Sequence, residues 1–261
     1  MKNNKATLAV CLASLLAFGA PAAQAVTFDD PKGDDNGPGN YVYPTDSVYK
    51  PGSFDLTKLS VKKSGDQAEF AVDVNSSLED PWGMGNGFSV QMIFIFIKNK
   101  EGGHTEGLPG LNVQFAPGNE WNKVVILSPQ KKARVTGETQ TKAPKLADDL
   151  AVPNTTRGNN RTIKGLVPLS ELGGDGNVDG WSYQVVVQSN EGFPAATDLL
   201  TRKVNEYEGQ HRFGGGNDGD CDPHAMDLLE SADAKQSEML AYTCGDNGAS
   251  VKPATLKMIK K

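Results

Sequence analysis

The chain has 261 residues, with 26 Lys and Arg against 32 Asp and Glu and a formal charge of −6. No basic cluster goes beyond short pairs such as Lys131-Lys132, which argues against nucleic-acid binding, because holding phosphates needs several grouped Lys or Arg residues. The acidic balance favours cations as partners.

The first 25 residues read as a secretory signal. Lys2 and Lys5 give the positive start, Leu8 to Phe18 an apolar stretch too short to span a bilayer, and Ala23-Gln24-Ala25 a small-x-small cleavage site. Cleavage there leaves 26–261 and, with two lysines gone, takes the charge from −6 to −8. No later apolar run approaches the ~18 residues of a membrane span. The expected destination is secreted or periplasmic, hence oxidising, so once Cys11 leaves with the signal, Cys221 and Cys244 are expected to pair. Neither spacing nor neighbours suit zinc.

Strand signals dominate the mature chain. Residues 53–62 and Glu69 to Val74 alternate apolar and polar, predicting strands with one wet face. Phe88 to Ile97 differs, with Val90, Met92, Phe94 and Phe96 on one face and Ile93, Ile95 and Ile97 on the other. Such a strand is buried on both sides. Further runs are Val113 to Phe115, Trp121 to Leu127, Arg161 to Val167 and Trp181 to Gln188, each bounded by Gly, Pro, Asn or Asp. That spacing predicts an antiparallel sandwich. Helix is expected only as one turn over Pro168 to Leu172 and a short piece near Ala234 to Tyr242, and 137–160 reads as a long connection or insertion.

Phe28-Asp29-Asp30-Pro31-Lys32-Gly33-Asp34-Asp35 packs four carboxylates into seven residues. They repel one another unless water screens them or a cation gathers them, and Gly and Pro supply the turns that would converge their oxygens. Oxygen-only ligands suit calcium; the alternative is a solvated acidic turn. A second acidic cluster, Asn217, Asp218, Asp220, Asp222 and Asp227, imitates the start of a calcium loop, but Pro223 stands where Gly is needed. Asp175-x-Asn177-x-Asp179-Gly180 reads as a turn before Trp181.

No Gly-x-Ser-x-Gly exists, and His104, His211 and His224 stand in Gly-rich or acidic loops. A glycosidase would need two carboxyls at a set separation in a cleft, one desolvated enough to stay protonated, whereas these acids crowd into turns. Aromatic rings offer binding instead, since sugars stack C–H faces on exposed rings while polar neighbours bond the hydroxyls. Trp82, with Asn86 in the same polar, Gly-rich loop, is the leading candidate, followed by Tyr41 and Tyr43. Packing at a sandwich edge is the alternative for each.

Several motifs together resemble the DOMON-like C-terminal domain of glucodextranase. They are Asp30-Pro31-x-Gly33-Asp34-Asp35-x-Gly37-Pro38-Gly39, Tyr41-x-Tyr43-Pro44-Thr45, Pro51-Gly52-x-Phe54-Asp55-Leu56, Pro81-Trp82-Gly83 and Asn86-Gly87-Phe88-Ser89. Leu108-Pro109-Gly110-x-Asn112-Val113, Gly180-Trp181-x-Tyr183, Phe213-Gly214-Gly215-Gly216 and Asp227-Leu228-Leu229 follow in order. The resemblance implies one all-β domain over 26–261, a two-sheet antiparallel β-sandwich related to family-9 carbohydrate-binding modules. It also implies a binding rather than a catalytic role toward polysaccharide or cell-surface glycan, and calcium held by Asp30, Asp34, Asp35 and Asp55. As a free-standing module with its own signal, the chain is expected to act as a surface or matrix component. The wider DOMON group includes haem-binding electron carriers that use a Met ligand, for which Met84 and Met92 are the candidates here, but no Cys-x-x-Cys-His exists to attach haem covalently.

Overall fold

The computed structural model describes residues 25–261, so the expected signal segment lies outside the described residues except for Ala25. The strands are β1 Val26–Asp29, β2 Leu56–Ser64, β3 Gln67–Val74, β4 Gln91–Lys98, β5 Val113–Phe115, β6 Lys123–Leu127 and β7 Leu150–Ala151. They continue with β8 Thr156–Asn159, β9 Thr162–Pro168, β10 Ser182–Ser189, β11 Asp227–Leu228, β12 Thr243–Cys244, β13 Ser250–Lys252 and β14 Ala254–Leu256. Two five-stranded sheets carry the fold, ordered β1-β2-β3-β9-β8 and β11-β10-β4-β6-β7. All their pairings are antiparallel except β6 with β7, which bears out the expected all-β sandwich.

Alternation decides which faces meet. In β3, Ala68, Phe70, Val72 and Val74 are buried while the residues between them are half-exposed. In β2 the phase slips, because a register shift against β3 lies between Leu56 and Lys58. That bulge lets Leu56, Leu59 and Val61 all turn inward despite their uneven spacing. β4 is buried on both faces, as its unbroken apolar run predicts. Its Ile93, Ile95 and Ile97 lie beside Val187, Val185 and Tyr183 of β10, and Tyr183 meets Phe28 of β1 edge-on at 5.6 Å, so this face looks across at the first sheet. The other face is covered by β5, which pairs with β14, and by the chain leading into β6, with Phe96 against Phe115 at 4.8 Å and Trp121 at 5.4 Å.

The segment 137–160 is not one long connection. A helix, α1, runs over Lys132–Lys142 and is followed by a short 3-10 turn and the two edge strands β7 and β8. α1 buries only Val135 and Thr139, so it lacks the apolar stripe that marks a helix in sequence. Glu138 bridges Arg134 at 2.9 Å and Lys142 at 2.8 Å, four residues away on either side. The two short helical pieces expected from sequence form as α2 Leu169–Leu172 and α3 Gln236–Met239.

Cys221 and Cys244 are disulfide-bonded, with Cα atoms 5.6 Å apart. The bond ties the long loop before β11 to β12. Replacing both with Ser is expected to cost roughly 3 kcal/mol for a closed loop of this length, read as a lower denaturant midpoint.

Candidate functional site

Loops gather at one end of the sandwich. Leu56 at the start of β2 pairs with Val74 at the end of β3, and Gln91 at the start of β4 with Ser189 at the end of β10. Segments 30–55, 75–90 and 190–226 therefore emerge on the same side. Asp30 follows β1 directly, Asp55 precedes β2, and Asp227 opens β11.

Asp30, Asp34 and Asp227 each bring a carboxylate oxygen within 4.8 Å of the others, and among the described residues no other three such groups converge so closely. Asp30 Oδ1 accepts the Glu230 backbone N–H at 2.7 Å, but its Oδ2 is buried without a partner. Asp34 Oδ1 and Asp55 Oδ1 are likewise buried and unpartnered. Asp227 accepts the N–H groups of Leu56 at 2.6 Å and Leu228 at 2.7 Å, and each of its oxygens keeps a further lone pair. Asp55 stands outside the 4.8 Å group but close by, its Oδ2 accepting Gly33 N–H at 2.7 Å and Asn75 Nδ2–H at 3.0 Å.

Gathering acids without cations has an electrostatic consequence. Burial, reinforced by the charges of Asp34, Glu230 and Asp55, pushes the Asp30 carboxyl up to about 8. Burial, with Glu230, Asp55 and Asp35 nearby, raises Asp34 to about 6. Asp55 is raised mainly by burial, and Asp227 well above its ordinary value by burial and by Asp30 and Asp34. No lysine or arginine forms an ion pair with any of the four among the described residues. Buried carboxylate oxygens left without partners and gathered with no counter-charge beside them fit a hard divalent cation such as calcium.

The local chain explains the convergence. Gly37 adopts φ +60 and a Cβ there would meet the Tyr41 ring at 2.2 Å, so only glycine lets the acidic turn fold back over that ring. Gln236 of α3 donates from Nε2 to the backbone oxygens of Asp34 and Gly37, clamping the turn.

The structure redistributes the residues expected from sequence. Asp30 and Asp34 converge and Asp55 is adjacent, but Asp35 is turned aside, accepting the Tyr43 hydroxyl. Asp227, read from sequence as part of the second acidic cluster, belongs to the first. Of the rest of that second cluster, Asp222 accepts the Tyr41 hydroxyl at 3.1 Å and leaves its other oxygen buried and unpartnered, while Asn217, Asp218 and Asp220 are spent on loop structure. Asp220 binds His224 at 2.8 Å and Lys203, and Asp218 accepts Glu206 N–H at 2.9 Å. Asp175 forms the expected turn, accepting Asn177 N–H at 2.9 Å.

Tyr41 and Tyr43 do not offer rings to a ligand. Tyr41 is buried, its hydroxyl donating to Pro223 O at 2.6 Å, and Tyr43 packs edge-on to Phe54 at 5.6 Å and Phe213 at 5.4 Å. Their alternation marks packing under the acidic turn. Asn86 is committed to the scaffold, donating from Nδ2 to Pro129 O at 2.8 Å. Trp82 is half-exposed. Its loop is organised by Asp80, which accepts Met84 N–H at 2.8 Å, Gly85 N–H at 2.7 Å and the Ser89 hydroxyl. Burial opposes ionisation of Asp80, but those three bonds outweigh it and hold the carboxyl below its usual value. Met92, the in-strand candidate haem ligand, is wholly buried in β4, and no serine hydroxyl is hydrogen-bonded to a histidine among the described residues.

A β-sandwich with converging buried acids and a loop-borne indole at one end is built as a binding module. The chain belongs to the family of SLH-like C-terminal binding modules of glucodextranase, which matches residues 25–258. No curated protein matches it. No helix among the described residues is long and apolar enough to cross a membrane.

Proposed function

We propose that the chain is a non-catalytic module, secreted or periplasmic, that binds polysaccharide or cell-surface glycan and is stiffened by a calcium ion at its loop end. The observation that carries the metal part is the set of three buried carboxylate oxygens, on Asp30, Asp34 and Asp55, that have no hydrogen-bond partner. Asp30, Asp34, Asp227 and Asp55 would hold the ion, and the ion would supply the positive charge their burial calls for. The family supports the glycan part.

The protein's own residues link the two parts. Asp35 accepts the Tyr43 hydroxyl, which in turn accepts Phe54 N–H at 3.1 Å. Phe54 stacks on Tyr49 at 6.2 Å, and Tyr49 meets Trp82 edge-on at 6.3 Å. The loop that carries Asp30 to Asp55 therefore also supports the indole. Affinity electrophoresis in gels containing dextran, pullulan, starch or envelope polymer tests the reading. Retardation by at least one of them is expected, weakened by a chelator; free migration through all of them would refute glycan binding.

A further inference from the structure

Phe193 is the most exposed large apolar side chain among the described residues, at 93%. It sits in Gly192-Phe193-Pro194, whose backbone is tied down where Phe193 N–H donates to Glu191 Oε1 at 2.9 Å. With Trp82 and Met84 it lines a cleft of about 270 Å³, with Gln130, Asn190 and Arg202 behind. Three apolar side chains from two loops held open to water need a reason.

The floor of the cleft is rigid. Arg202 is 9% exposed and lies 5.7 Å from the centre of the Trp82 ring. Its guanidinium donates to Asn190 O at 3.3 Å and His211 O at 2.8 Å. Glu191 pairs with Arg202 at 3.3 Å and Arg212 at 2.8 Å. His211 packs edge-on to Trp82 at 6.4 Å. Arg212, the more exposed of the two arginines that share Glu191, stands outside the cleft lining, and the charges that do line it, Glu191 and Arg202, pair with each other, which leaves the indole, thioether and phenyl groups to meet the ligand. Gln130, which donates to Asn190 Oδ1 at 3.2 Å, keeps a carbonyl oxygen for a hydroxyl at the rim.

We infer that this cleft is a stacking subsite for one uncharged pyranose ring of a polysaccharide, with Trp82 and Phe193 contacting its C–H faces. The inference rests on the glycan-binding reading above and adds the place, the aromatic pair and the neutral character of the sugar. A neutral ring fits because the cleft offers apolar surface and paired charges, whereas an anionic polymer would call for unpaired cations.

The test is affinity electrophoresis in dextran, pullulan and envelope-polymer gels for wild type, Trp82→Ala, Phe193→Ala and a control, Leu166→Ala, on the far groove of the first sheet. Each aromatic truncation is expected to weaken retardation about tenfold, the scale of one ring-stacking contact, and the control to leave it unchanged. Retardation is also expected to be insensitive to salt from about 0.05 to about 0.5 M. Phe193→Ala removes an exposed side chain and so reads binding without risk to folding. Full retardation in both aromatic variants would remove the subsite while leaving the glycan reading in place. Strong salt sensitivity would remove the neutral-sugar assignment. A wild type that none of these gels retards would overturn the subsite and the glycan reading with it.

Discussion

Replacing Asp30 with Asn is expected to stabilise the calcium-free protein and at the same time to remove most of what calcium adds. The amide keeps the acceptor that Glu230 N–H uses at 2.7 Å and puts an NH2 where the unpartnered Oδ2 now lies. Above about pH 8, where Asp30 is ionised, it also deletes one of the charges that repel one another around Asp34, Asp55 and Asp227. Without metal, that relief is favourable. With metal, the same substitution removes a ligand charge. Wild type at calcium about a hundredfold above Kd gains about 2.7 kcal/mol, which for a domain of this size corresponds to a rise of very roughly 5–10 °C in Tm. The variant is expected to show a higher Tm than wild type in chelator and little further rise with calcium. A purely structural role for Asp30 would move both conditions in the same direction by the same amount, and scanning calorimetry with and without calcium separates the two.

How far the sequence revealed this arrangement depended on how local each signal was. β3 was legible because period-two burial repeats over its eight residues, β10 through its central Val185-Val186-Val187 run, buried like almost all of that strand, and β4 because a short strand of Met, Ile and Phe without a polar break has nowhere to go but the interior. α1 was hidden, since Val135 and Thr139 are its only buried residues and the Arg134, Glu138 and Lys142 pairing that supports it looks like ordinary surface charge.

The metal candidates divide the same way. Asp30 and Asp34 share one turn, so their convergence could be anticipated, but Asp227 reaches them only because β11 pairs with β10 at the sheet edge. The usable signal was a carboxylate inside the apolar run Ala225-Met226-Asp227-Leu228-Leu229: a charge in such company must be paired or held by a cation. Phe193 gave no signal at all. A single aromatic in a loop becomes informative only when tertiary structure sets it beside Trp82.

The clustered acids also fix an inverted pH response. For a carboxyl whose folded pKa lies above its unfolded value, the native state binds more protons than the unfolded state between the two, so stability falls as pH rises through that window. Asp30 moves from 3.8 to about 8 and Asp34 from 3.8 to about 6, with Asp55 and Asp227 raised as well. The calcium-free protein is therefore expected to gain stability as pH falls from about 8 to about 5, and at about 1.4 kcal/mol per pKa unit the well-buried Asp30 alone makes the change several kcal/mol. The calcium-loaded protein should do the reverse. Protons and the ion compete for the same oxygens, so the stabilisation by calcium is largest at about pH 8 and vanishes as the acids protonate. Denaturant melts at about pH 5, 6.5 and 8, each with calcium and with chelator, should give two curves that converge at the acid end. A chelated protein that instead grew more stable toward pH 8 would mean these carboxyls are ionised and satisfied without a metal, and the cation site would be lost with that result.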